Sequence, residues 1–480
     1  MTTTLPQTLK KSALIISGLF LANQALASGY HFGTQSVSSQ STANASAAEA
    51  ADPSTLFYNP AGLTKLEGTQ ASININVVMP SVKYKDAKAY YPGMPGGQQE
   101  INTAPDGSTN VSRSGKITDD AVLAPHGYVS HQVNDRVFLG LGVYVPFGSS
   151  TEYQKNSVLR YNLNQTGLET IAVQPTVAYK INDQHSVAVG LVAQHTKAEL
   201  RQYANFGAFI GANGMADGSA NVKGSDWGFG YNLAWLWDIN DNVRMGVNYR
   251  SKVSHNIKGD AKWLLEGPAF ANPSVEQGIR DSGYVSKEGA QVKVATPESL
   301  SVHGMWKVNP KWNVFGDVTW TRHSRFNKAH LTYDNGKVVA NPQTGGQTTS
   351  NVTTLNPQWR NTYKVSLGAS YQVSEPLQLR FGWAYDQSPV KNDDLRLATL
   401  PDSNRMWFSV GGKYDFNKNN TVNLAYSYLK IHDSQANLNG WCGGTAMGPG
   451  SEACVSSRTN GTAKFKSHAS IVGVQYTYKF

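Results

Sequence analysis

The chain lacks long hydrophobic runs. Beyond residue 27 there is no stretch of about 18 consecutive apolar residues, which excludes helical membrane spans. Only 40% of residues are hydrophobic and 16% are charged, and mean hydropathy is −0.39. Cysteine is almost absent. Cys442 and Cys454 both fall in one glycine-flanked polar stretch, which excludes a disulfide scaffold, and two thiols alone do not make a metal site. In an oxidising compartment their default is a local disulfide. Enzyme motifs are missing too: there is no G-x-S-x-G elbow, no H-E-x-x-H helix and no phosphate loop. The 11 histidines are scattered without ligand-like spacing, so neither a metal nor a cofactor is called for. Net charge is +9, yet no basic run interleaves with aromatics, so nucleic acid is not a partner.

What is present is glycine (45), tyrosine (23) and tryptophan (11) in a chain of modest hydropathy. That balance suits a transmembrane β-barrel, whose strands alternate outward apolar and inward polar residues; a large secreted all-β protein is the other reading. Residues 1–27 read as a signal peptide. Lys10 and Lys11 form its basic region, residues 12–21 its apolar region, and Ala25-Leu26-Ala27 its cleavage site. Downstream, Ile73, Ile75 and Val77 alternate with Asn74 and Asn76, and Val137, Leu139, Leu141, Val143 and Val145 keep the same period of two.

Turn spacing is more specific. Short turn signals recur at Asn134-Asp135, Asn182-Asp183, residues 240–242, Asn309-Pro310, residues 374–376 and residues 417–420. Long polar loops separate them, at 80–120, 149–167, 203–224, 261–290, 334–357, 389–403 and 433–461. Six short hairpins give twelve strands, and one strand at each end makes fourteen, an even count as bacterial barrels require. The expected fold is all-β: a 14-stranded antiparallel barrel over residues 69–480, in the bacterial outer membrane. Its last strand alternates Val472, Val474, Tyr476, Tyr478 and Phe480, which resembles the terminal signal read by the barrel-assembly machinery. Residues 28–68 are rich in Ser, Ala, Gly, Asn and Thr until Leu56-Phe57-Tyr58. They cannot form a core alone and read either as a plug inside the lumen or as a floppy linker.

Several stretches carry a family resemblance: NPAGLT (59–64), residues 225–251, residues 296–326, and most specifically residues 367–390 and 400–429. The chain resembles the FadL-type outer-membrane transporters of long-chain fatty acids, whose relatives take up aromatic hydrocarbons. Loops 80–120, 203–224 and 433–461 and the cysteine pair depart from the pattern. The resemblance implies a monomeric barrel with a lumenal hatch over residues 28–68. It implies capture between loops 203–224 and 261–290, and passive sideways release beside the third strand, where Asn59, Pro60 and Ala61 are expected. It also places Arg201, with Lys328 or His330, at a carboxylate head group; for each of them a solvated charge at a strand end is the alternative. Long-chain fatty acids are therefore the expected ligands, with aromatic hydrocarbons as the other candidates. A barrel lipid hydrolase and an open porin are the readings of other classes. Outer-membrane lipids and lipopolysaccharide phosphates are expected neighbours for the excess positive charge.

One signal is independent of the family. Pro125, Pro146 and Pro175 lie on three successive strands, and proline donates no ladder hydrogen bond. Three prolines at one height suggest a local break in the wall, with Gly140, Gly142 and Gly148 permitting an inward kink and Asn59 covering the exposed backbone. Bulges that merely shape the barrel are the alternative.

Overall fold

Alternation is the local cause of the strands. Along Asp217–Asp238, Trp227, Phe229, Tyr231, Leu233 and Trp235 form one exposed row, while Asn232, Ala234 and Leu236 form a buried one. An exposed apolar row beside a buried polar one is the inverse of a soluble strand, and it fits lipid outside and a packed lumen inside. The computed structural model describes residues 33–92, 99–341, 346–438 and 460–480. The leader, residues 28–32 and the expected Cys442–Cys454 bridge lie outside the described residues.

In chain order the strands begin with β1 (Thr69–Ala89), β2 (Gly115–Lys116), β3 (Val122–Gln132), β4 (Val137–Tyr144), β5 (Gly148–Glu152), β6 (Leu163–Lys180) and β7 (His185–Asn205). They continue with β8 (Asp217–Asp238), β9 (Val243–Arg250), β10 (Val253–Glu266), β11 (Lys287–Thr296), β12 (Ser299–Asn309), β13 (Trp312–Thr321) and β14 (Ala329–Asn341). The last are β15 (Gly346–Leu355), β16 (Thr362–Gln372), β17 (Leu377–Asp386), β18 (Arg405–Asp415), β19 (Asn420–Ile431), β20 (Ser434–Leu438) and β21 (Gly461–Lys479).

The wall runs β1, β3, β4, β6, β7, β8, β9, β12, β13, β16, β17, β18, β19 and β21, with every neighbour antiparallel. Pairing of β21 onto β1, from Gln70↔Lys479 to Ala89↔Gly461, closes the ring. These fourteen staves are the number given by counting turns. Beyond the long-loop end of the staves, β5, β10, β11, β14 and β15 prolong them above the barrel. At the other end, five of the six turns start on an asparagine. The Oδ1 of Asn134, Asn182, Asn240, Asn309 or Asn417 accepts the backbone N–H two and three residues on.

Residues 33–66 fill the lumen, with helices α1 (Val37–Gln40) and α2 (Thr55–Tyr58) and a 3-10 turn over Pro60–Lys65. Their bonds reach opposite walls. Asn74 on β1 accepts from the Val37 amide at 3.1 Å, Gln475 on β21 accepts from the Ser38 amide at 2.9 Å, and Arg380 on β17 grips Glu49 at 2.5 Å. Across the barrel, Arg244 on β9 donates to the Ala48 carbonyl at 3.1 Å. Small residues are needed at this contact. A Cβ on Gly382 would stand 2.0 Å from the carbonyl carbon of Thr42, and one on Gly411 2.5 Å from Ser41 Cβ. Gly382→Val should therefore dislodge this segment while the wall, which satisfies its own backbone, still assembles. The expected outcome is a normal heat-modifiable band on gels with raised conductance in planar bilayers; unchanged conductance would contradict the seat.

Candidate functional site

Alternation on β6, β7 and β11 turns one apolar row into the lumen above the plugging segment. Leu163, Leu168, Leu200, Val292, Phe326 and Leu355 enclose a cavity there with almost no polar lining. Loops close over it at the long-loop end. Arg160 Nε donates to Asp217 Oδ2 at 2.8 Å, Tyr161 donates to the other carboxylate oxygen at 2.5 Å, and an Arg160 Nη2 donates to the Thr103 carbonyl at 2.7 Å. Burial pushes the Asp217 carboxyl up, against the lowering effect of Arg160, so this clamp holds its charge at a desolvation cost.

Below, a second cavity is lined by Phe57, Tyr144, Phe147, Val192, Arg250 and Thr296; Thr296 also lines the apolar cavity above. A third, polar cavity lies between the plugging segment and the wall, with Arg250, Asp317, Lys364 and Asp386 among its lining. Arg250 borders both lower cavities. Its guanidinium lies over the Phe57 ring at 4.0 Å and donates to Tyr144 Oη at 2.9 Å, Gln174 Oε1 at 2.8 Å and the Phe57 carbonyl at 3.3 Å. All these acceptors are neutral. The buried arginines of the wall and loops pair instead with carboxylates: Arg160 with Asp217, Arg380 with Glu49, Arg405 with Asp402. Among the described residues Arg250 has no carboxylate within 4.0 Å, so its charge faces the cavities uncompensated.

The ladder of the wall is interrupted on β8, where residues 226–231 pair with neither β9 nor β10, and again beside β3. Pairing of β3 with β4 stops at Gly127↔Val143, and above it Val122–Ala124 pair on β1 only, while β5 pairs on β6 only. Between β4 and β5 the chain breaks at Val145, Pro146 and Phe147, and the last two line the middle cavity. The window is closed above by residue 117, whose amide donates to the Val82 carbonyl at 2.9 Å and whose carbonyl accepts from the Glu152 amide at 2.8 Å. From inside, Gln35 Nε2 donates to the Val145 carbonyl at 2.7 Å, and the Val145 amide donates to His126 Nδ1 at 3.3 Å.

Several expectations need correction. Arg201 does not line the apolar cavity. On β7 it is Thr196, Ala198 and Leu200 that line the cavity, so period-two alternation puts Arg201 on the other face, where it donates to Asn164 at 2.7 Å and Glu152 at 2.7 Å. His330 is likewise on the face opposite Ala329 and shares a 3.0 Å hydrogen bond with Thr354. Lys328 stands half-buried between Phe326 and Ala329, two residues of the cavity wall. Asn59 does not cover the window: its amide nitrogen donates to the Trp235 carbonyl at 3.0 Å and sits 2.8 Å from His303 Nε2, on β8 and β12. Pro60 and Ala61 begin the 3-10 turn beside it, below the window. Gly140 and Gly142 do not kink the strand; they give room to Leu56, which would meet an added Cβ at 2.7 and 2.8 Å. Pro146 does sit in the break and Gly148 starts β5, and continuing the β3 register sets Pro125 beside Val145. Pro175 pairs with Leu141, four residues lower, so the three prolines do not share one height.

Gln35 and Arg250 belong to the site without having stood out in the sequence. Arg250 had a signal: with Met245 outward on β9, alternation places Asn248 and Arg250 inward, a cation on the lumenal face of a short strand.

A lipid-type outer face, a closed ring of fourteen staves, a plugged lumen and apolar space leading to a window together define an outer-membrane transport protein for hydrophobic compounds. The family model described as outer membrane protein transport protein (OMPP1/FadL/TodX) matches residues 18–480, and the chain belongs to that family. It is 52% identical to the Neisseria meningitidis serogroup B protein NMB0088, over 99% of each chain. It is 24% identical to an Escherichia coli long-chain fatty acid transport protein, over 87% of this chain and 90% of that one. The fold is similar to the crystal structure of a Pseudomonas aeruginosa FadL homologue, with TM-score 0.78, 20% identity, and coverage of 95% of this chain and 100% of that chain.

The parity of β7 is testable. Leu200→Asn, which puts an amide against apolar walls, should weaken binding of an alkyl ligand by about 1–3 kcal/mol. Arg201→Ala should leave it within about twofold, because a half-exposed ion pair contributes little. Calorimetric titration with one alkyl ligand separates the two, and a larger loss for Arg201→Ala would reverse the assigned faces.

Proposed function

We propose that this protein carries long-chain carboxylic acids passively from the long-loop side into the membrane. The alkyl chain lies in the apolar cavity bounded by β6, β7 and β11, and its head group meets Arg250 below. Burial of each methylene contributes about 0.8 kcal/mol, enough for a long chain to leave water for this cavity. A carboxylate forms charge-assisted bonds with a guanidinium, stronger than those from the neutral acceptors now around Arg250. The single observation that carries the reading is that the uncompensated Arg250 borders both the middle cavity and the plugging segment. A neutral aromatic hydrocarbon is the second ligand class; it needs the apolar cavity but not the cation. The ligand leaves sideways between β3 and β5, where Gln35 must first let go of the Val145 carbonyl. Residues 28–68 are thus read as a hatch, and the protein as a monomer.

No chemical step belongs to this reading. In one hydroxyl–imidazole pair, Ser301 Oγ at 2.8 Å from His303 Nδ1, the hydroxyl donates to Asp317 Oδ2 instead; in another, Thr196 Oγ1 is 3.1 Å from His255 Nε2, with Asp226 Oδ2 at 3.7 Å from Nδ1. That last distance is too long for a hydrogen bond that would orient the imidazole.

Two measurements follow. Arg250→Met should weaken binding of a long-chain fatty acid by about 1.5–3 kcal/mol while leaving the corresponding alkane within twofold. Equal loss for both would make Arg250 a support of the hatch. For the exit, a cysteine pair at Ala124 and Pro146 spans the window. Its oxidised form should bind ligand normally and stop uptake in cells until reductant is added, whereas uptake at the unmodified rate when oxidised would place the exit elsewhere.

A further inference from the structure

The outer face carries a second feature that transport does not use. Paired residues of an antiparallel ladder share a face, and β1 lies between β2 and β21 at the long-loop end. There Lys83 is directly opposite Lys116 on one side and directly opposite Lys466 on the other. One step further, Lys85 is opposite Lys464, and one stave away Lys430 is opposite His468. All these lysines except Lys116 are exposed, and that one is partly exposed. Like charges directly opposite destabilise a sheet. Two carboxylates relieve only two of them: Asp86 pairs with Lys464 at 3.2 Å and Asp120 with Lys116 at 2.5 Å. Asp433 lies nearby and forms no ion pair among the described residues. Lys83, Lys85, Lys430 and Lys466 have no acidic partner among the described residues either.

The height of this row is informative. On the same outward face below it lie Ile75 and Val77 on β1, Val472, Val474 and Tyr476 on β21, and Tyr426 and Tyr428 on β19. From the Ala71↔Tyr478 pair near the short-turn end to the Lys83↔Lys466 pair is twelve residues. That is about 40 Å along the strand at about 3.3 Å per residue. At a tilt of about 40° it is a rise of about 30 Å, just past an apolar band about 25 Å tall. The lysines therefore stand where the head groups of the outer leaflet begin, directly above a surface suited to acyl chains.

We infer that the row Lys116–Lys83–Lys466, flanked by Lys85 and Lys430, binds the phosphates of the outer-leaflet glycolipid, lipopolysaccharide. A phosphate monoester brings about −1.5 to −2 charges and three acceptor oxygens, which offsets the repulsion within the row. Its acyl chains cover the apolar column beneath. This site lies on the outer wall between β2 and β21 and is separate from the lumenal route.

The test uses purified full-length protein in neutral detergent, titrated with lipopolysaccharide and read by native mass spectrometry. The triple variant Lys83→Gln, Lys116→Gln, Lys466→Gln should bind the intact glycolipid at least tenfold more weakly. Enzymatically dephosphorylated glycolipid should bind both proteins equally weakly. A control with Lys311→Gln, Lys418→Gln and Lys479→Gln, at the short-turn rim, should match the unaltered protein. Should the triple variant fail to assemble, Lys83→Gln alone must still weaken binding at least threefold. Unchanged binding by the variant that assembles, or equal binding of the dephosphorylated glycolipid by the unaltered protein, overturns the inference. So does equal competition by inorganic phosphate or by phosphatidylglycerol, which would make the row a general counter-ion site.

Discussion

In hydrocarbon a backbone amide has no water to turn to, so each one in the wall must find its partner within the protein. That constraint closes the ladder from β1 round to β21 and fixes an even number of staves. It also makes any interruption conspicuous. Between β3 and the segment 145–147 the ladder stops, and side chains stand in for it: Gln35 from the lumen takes the Val145 carbonyl, and His126 takes its amide. Next to it, Thr170 Oγ1 accepts from the Phe147 amide at 2.9 Å. A broken wall whose backbone groups are held by side chains differs from a bulge. Side-chain amides can withdraw, and a stave cannot.

The same constraint explains how much was legible in the sequence. Strand number came from turns, because Asn-headed hairpins must punctuate staves of limited length, and these turns are local in sequence. The face of each residue followed from parity wherever an apolar row was continuous, as along Trp227 to Trp235. Site residues were less legible because a cavity depends on contacts across the lumen. Arg201 and Leu200 are neighbours in sequence, yet the single step between them separates the outer face from the cavity. A resemblance that places a cation near a head group carries no guarantee of parity. Pro125 and Pro146 marked the break because proline is a backbone signal, whereas Gln35 looks like any polar residue in a Ser/Ala-rich stretch.

A lumen this wide cannot be filled by wall side chains alone, so polar residues inside it need partners from a segment that enters. Asn74, Asn76, Gln475 and Arg380 meet the segment 37–49 through short, mostly neutral hydrogen bonds. Such bonds contribute only about 0.5–1.5 kcal/mol each net when water is the alternative. A segment held this way is fixed by many small contributions and by no single large one. Apolar contacts concentrate elsewhere, where Leu56 and Leu63 press on Gly140 beneath the window.

On the proposed reading, that division separates a fixed part of the plugging segment from one free to shift. Asn59 is tied to two staves at once and heads the 3-10 turn, and Lys65 pairs with Asp238 at its other end. Residues 59–65 are thus anchored at both ends to β8, with β12 sharing the Asn59 end. Residues 33–36 are held by Gln35, by the Tyr58 and Tyr128 hydroxyls, and by Asn44, which donates to the Gly33 carbonyl at 2.8 Å. The tyrosine partners connect this short stretch to Phe57 and Tyr144, on which Arg250 rests. A carboxylate bound as proposed at Arg250 would compete with the Phe57 carbonyl and the Tyr144 hydroxyl, both one contact from Gln35 and Tyr128. On the proposed reading, coupling between ligand and exit needs no movement of the staves, only exchange of neutral acceptors for a charged one at a single guanidinium.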